Sequence, residues 1–136
     1  MRPEKIVTRT EEIPKKRWPK YFDEFSRRYE GWLINIEELL RDRGAQKEAS
    51  ELPFHGATAV LKPRPSVTIE VGRKANHIEH RVDSPEKIWI ESLAGGAVMA
   101  LNIESAGGRK TLLSFRSPMP VEMVDGIAAP LTSRKT

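Results

Sequence analysis

Trp18-Pro19-Lys20-Tyr21-Phe22-Asp23-Glu24-Phe25-Ser26-Arg27-Arg28-Tyr29-Glu30-Gly31-Trp32-Leu33-Ile34-Asn35-Ile36-Glu37 decides the fold, because the spacing of its apolar residues changes midway. Before Gly31, the aromatics Trp18, Phe22, Phe25 and Tyr29 recur at steps of four, three and four, with Tyr21 beside them. That spacing gathers them on one face of a helix. After Gly31, Trp32, Ile34 and Ile36 alternate with Leu33, Asn35 and Glu37, the period of a strand with one buried face. Proline is tolerated in a first helical turn but not in the interior, so Pro14 and Pro19 limit how early the helix starts. Gly31 can take the left-handed conformation that closes it. The spacing predicts a helix at about 19–30, introduced by a turn at Pro14.

Outward from that point, alternation continues to the end of the readable pattern. Arg41 to Gly44 makes a turn, and the return strand is read at about Gln46 to Leu52, interrupted by Pro53 and Gly56. A separate short strand, Ala57 to Leu61, precedes the stiff Lys62-Pro63-Arg64-Pro65 link. Val67/Ile69/Val71, Ile78/His80/Val82, Ile88/Ile90, Met99/Leu101/Ile103 and Leu113/Phe115 each alternate, with glycine, proline or Asp-Ser turns between them. Ile90-Glu91-Ser92-Leu93-Ala94-Gly95-Gly96 is echoed at Ile103-Glu104-Ser105-Ala106-Gly107-Gly108, which shared hairpin chemistry explains. The expected fold is α+β: an N-terminal helix, then a mostly antiparallel meander of six to eight short strands, as a small barrel or a strongly curled sheet. Residues 1–13 read as a basic flexible tail, 14–127 as the single domain with a last short element at Val121 to Ile127, and 128–136 as a second flexible tail.

At 136 residues the chain is long enough for one core, and its apolar residues fall in short runs that exclude a membrane-spanning helix. The absence of cysteine removes disulfides, thiolate nucleophiles and sulfur-based zinc sites. The net charge of +4 belongs to the ends: residues 1–20 hold seven Lys or Arg against three Glu, and residues 21–129 carry a net −2. A near-neutral body does not attract phosphate, so nucleic acid is expected to bind weakly at most, through the basic tails. No apolar core of a secretory signal follows Met1 to Thr10, and the expected location is cytoplasmic.

Three groups of residues invite a functional reading. Glutamate follows isoleucine at Glu37, Glu70, Glu79, Glu91 and Glu104, but alternation turns these carboxylates outward among Arg73, Arg81, Lys87, Lys110 and Arg116, a solvated sheet face and not a catalytic pair. His77-Ile78-Glu79-His80 would gather two imidazoles on a helix, and with Glu79 would suggest a metal-dependent hydrolase. On a strand, residues 77 and 80 face opposite sides, so no metal site and no cofactor is assigned. No nucleophile elbow and no phosphate-binding glycine loop is present, which leaves no catalytic residue and tilts the reading away from an enzyme. The positive feature is apolar: Leu33, Trp89 and Leu112 fall on the off-core phase of their strands. They are the candidate binding residues of a noncatalytic module for a protein partner or small ligand, or of a homodimer.

Trp18 to Arg27 followed by Glu30-Gly31-Trp32-Leu33, Val67-Thr68-Ile69-Glu70-Val71-Gly72 and Leu113-Ser114-Phe115-Arg116-Ser117-Pro118 resemble a group of small uncharacterised bacterial proteins carrying a domain of unknown function. The resemblance covers about residues 14–126. It implies a small helix-plus-strands domain from a bacterium and brings no catalytic or binding residue.

Overall fold

In the computed structural model, which describes residues 8–73 and 75–115, helix gives way to strand at Gly31. Helix α1 spans Trp18–Tyr29 behind a 3-10 turn at Lys15–Arg17, and it buries Trp18, Phe22, Phe25 and Tyr29, the four aromatics that share a face. Gly31 ends the helix at φ +88. Its N–H donates to Phe54 O at 2.7 Å and the Phe54 N–H donates to Trp32 O at 2.8 Å, so the chain leaves the helix already paired.

Among the described residues one strand precedes the helix, β1 (Thr8–Glu12), and seven follow: β2 (Leu33–Leu40), β3 (Gly44–Val60), β4 (Ser66–Arg73), β5 (Asn76–Asp83), β6 (Pro85–Leu93), β7 (Val98–Ser105) and β8 (Lys110–Phe115). All neighbours are antiparallel, in the order β1-β6-β7-β8-β2-β3-β4-β5. Strands stand about 4.8 Å apart, so a flat sheet would hold β5 and β6 about 29 Å from each other. Only Ser84 separates Asp83 from Pro85, a reach of about 8 Å at most. The sheet is therefore strongly curled, yet among the described residues it stays open, with β1 and β5 as its two edges.

The helix lies on the inner side of that curl. Phe25 packs at 5.4 Å from Phe54 and 5.9 Å from Phe115, and Tyr29 at 4.7 Å from Phe115 (ring centroids). Ile34, Ile36, Val67, Ile69, Ile88, Leu101, Ile103 and Leu113 complete a buried core at about 1.5–3 kcal/mol for each large side chain withdrawn from water.

Three expectations need correction. Residues 8–12 are not tail but β1, paired with β6 from Thr8↔Leu93 to Glu12↔Trp89. Thr-Arg-Thr-Glu-Glu shows no apolar alternation, and its order comes from the free edge of β6 and from Ile13, which is buried, donates to Ile88 O at 2.8 Å and accepts from Trp18 Nε1 at 2.9 Å. Gln46–Leu52 and Ala57–Leu61 are not two strands: β3 runs unbroken through Pro53, which stays in register opposite Leu33, and through Gly56, which sits at a register shift against β4. The register carries Pro53 opposite Gly72; proline has no N–H to give there, and the Gly72 carbonyl accepts from His55 Nε2 at 2.6 Å instead. Ile78, read as a core residue, is 40% exposed because β5 is an edge strand. The element read at Val121 to Ile127, the domain end at 127 and the tails at 1–7 and 128–136 lie outside the described residues.

Candidate functional site

Cross-strand partners in an antiparallel sheet point to the same side. The pairs Glu12↔Trp89, Trp89↔Asn102, Asn102↔Leu112, Leu112↔Glu37 and Glu37↔Lys47 therefore form one row across the outer face. Their chain neighbours Ile88, Ile103, Leu113 and Ile36 are buried on the inner face, where α1 packs, so the helix does not cover this row. Trp89 and Leu112 stand two strand steps apart, about 10 Å. Leu33 shares their face but sits at the far end of β2, opposite Pro53 and about 13 Å along the strand from Glu37. All three are half-buried. Between Trp89 and Leu112 lies Asn102, which sequence reasoning missed because the register that places it is not visible in a single strand. Trp89 Nε1 and Asn102 Oδ1, a donor and an acceptor on adjacent side chains, are both closed off from water without a hydrogen-bond partner.

The histidine cluster does not converge. His77 is exposed and stacks on His55 at 4.5 Å, the ring whose Nε2 donates to Gly72 O. Glu79 shares the outer side with His77 and stands opposite Glu70. His80 points inward to Glu38, with Nε2 3.1 Å from Oε2 and both side chains only 13–14% exposed, a close pair without an aligned hydrogen bond. Thr111, the cross-strand neighbour of Glu38, is fully buried with its hydroxyl unpartnered, so no base holds it as a nucleophile. Among the described residues no group of three His, Asp or Glu side chains is placed to hold a metal ion.

Three cavities open at other places on the described surface. One of about 320 Å³ opens beside Arg41, Arg43 and Arg109, and one of about 730 Å³ between the Lys62–Ser66 link and Arg81. A third, about 310 Å³, separates α1 from β1 and is lined by Tyr21, Tyr29 and Ile90. There burial, reinforced by the Tyr29 phenol, pushes the Tyr21 phenol up. None of the three is lined by Leu33, Trp89 or Leu112. Of the basic N-terminal residues, Arg9 stands 3.9 Å from Glu11, and Lys15 lies 5.7 Å over the Trp18 ring. Among the described residues no helix is long and apolar enough to cross a membrane.

An uncharacterised protein of Aquifex aeolicus (strain VF5) is 25% identical over 112 residues, which is 82% of this chain and 96% of that protein. No solved structure matches the chain. Residues 9–124 match the family described as "Family of unknown function (DUF5335)", a span that runs from Arg9 in β1 through the helix and past β8, and the chain belongs to this family.

Proposed function

We propose that the chain is a noncatalytic binding module that engages a protein partner across the outer face of its sheet, centred on Trp89, Asn102 and Leu112. The observation that carries this reading is the outer-face row itself, in which the half-buried Trp89 and Leu112 flank Asn102 on the side of the sheet away from α1. A tryptophan and a leucine on either side of an asparagine, rimmed by Glu12, Glu37 and Lys47, have the make-up of an interface centre with a charged border. A protein partner is favoured over a small ligand because the row runs along the outer side of the curl, and the cavities beside Arg41, beside Arg81 and between α1 and β1 are lined by other residues. Panning a displayed random-peptide library against the full chain tests the reading. The expected result is a set of peptides that bind the wild type and lose at least tenfold in affinity to Trp89→Ser and to Leu112→Ser chains of unchanged circular dichroism. Peptides indifferent to both substitutions, or none recovered, would overturn it.

A further inference from the structure

The edge strand β5 carries a second surface, independent of the Trp89 row. His77, Ile78, Glu79, Arg81 and Asp83 are exposed, and among the described residues no strand is paired to the outer edge of β5. The direction of its backbone groups follows from the ladder. The Gly72 carbonyl is turned toward β3, where it accepts from His55, so alternation turns Val71, Ile69 and Val67 toward β5. Their partners Ile78, His80 and Val82 spend their N–H and C=O groups on β4, and those of His77, Glu79, Arg81 and Asp83 face out from the sheet.

We propose that β5 pairs antiparallel with β5 of a second copy, around a two-fold axis at His80. In that register Glu79 meets Arg81 of the second copy and His77 meets Asp83, each pair occurring twice, and Ile78 lies opposite Val82. All four outward-facing residues exchange backbone hydrogen bonds, and the exposed Ile78 gains an apolar neighbour. The neighbouring registers are disfavoured by charge. An axis at Glu79 sets glutamate against glutamate, and an axis at Arg81 sets arginine against arginine and Glu79 against Asp83. An axis at Arg81's other neighbour, Val82, keeps the Arg81–Asp83 pair but runs Glu79 against Pro85 and loses overlap. Charges on an edge strand ordinarily keep it from pairing; here their order permits one self-pairing, and a two-fold contact closes after two copies. The Arg81 guanidinium already stands 2.9 Å from Asp83 within the strand, with both side chains about two-thirds exposed, so it is positioned to bridge Asp83 and the incoming Glu79.

The experiment is a charge swap on the full chain, read by sedimentation equilibrium from micromolar to submillimolar protein. The wild type is expected to dimerise, Glu79→Arg and Arg81→Glu each to weaken the dimer at least tenfold, and the Glu79→Arg/Arg81→Glu double variant to restore it. In this cysteine-free chain, His80→Cys is expected to form an intermolecular disulfide under mild oxidation, because a non-hydrogen-bonded pair brings Cα atoms to about 4.5 Å, and Arg81→Cys is expected not to. A wild type that stays monomeric throughout, a dimer indifferent to both single reversals, or a double variant no tighter than either single would overturn the proposal.

Discussion

Gly31 and Gly72 both sit at positive φ, +88 and +131, yet a methyl group has a different cost at each. At Gly31 a Cβ meets nothing within 4 Å, so alanine there pays only for the left-handed backbone, about 1 kcal/mol. At Gly72 the same atom runs into the carbonyl oxygen of Asn76 and the Cα of His77, backbone that belongs to the β4–β5 hairpin and has no free rotamer to yield. Gly72→Ala therefore loses about 2–4 kcal/mol, through backbone strain together with a clash that the hairpin must open to relieve. Urea denaturation of the two alanine variants checks this, and equal losses would show that the hairpin accommodates the methyl group. The same residue turns its carbonyl to His55, so Gly72 serves both the hairpin geometry and the contact that covers for Pro53.

At the scale of elements, α1 does for β3 what a missing strand would do. Beyond Phe54 the β2 side of β3 has no strand partner among the described residues, and Ser26 on the helix both accepts from the Ala57 N–H at 2.8 Å and donates to the Ala57 carbonyl at 3.0 Å. Ser26→Ala removes both bonds in a partly buried place and is expected to cost about 1–3 kcal/mol, with the Ala57 amide losing hydrogen-exchange protection ahead of its neighbours on the β4 side. An unchanged exchange rate at Ala57 would mean that water replaces the hydroxyl. The helix and most strands were legible in the sequence because their apolar residues keep one period and their core faces are continuous. β1 was not, since its five polar residues gain order only from the edge of β6, and neither was the continuity of β3, whose Pro53 and Gly56 are accommodated by partners distant in sequence. Strand parity exposed Trp89 and Leu112 as a pair on the outer face; Asn102 between them and the Glu38–His80 contact needed register and curl, which no single segment encodes.

For the molecule as a whole, the Asp83–Pro85 corner is where the two halves of the sheet are drawn together. A single residue passes the chain from the β5 edge to β6, and that residue, Ser84, holds φ at +53 while its carbonyl accepts from the Ala106 N–H at 3.1 Å. The left-handed conformation costs a residue with a Cβ about 1–2 kcal/mol, and the fold bears it because a flat sheet would leave the inner faces of both halves in water. Ser84→Gly removes that strain at the expense of a more flexible unfolded chain, so a net gain of about 0.5–1 kcal/mol is expected. Ser84→Val, branched at Cβ and poorly suited to positive φ, is expected to lose about 1–2 kcal/mol. Thermal and urea unfolding of the two variants distinguish a strained corner from a passive one: if glycine brings no gain and valine no loss, the curl is set by core packing alone and Ser84 follows it.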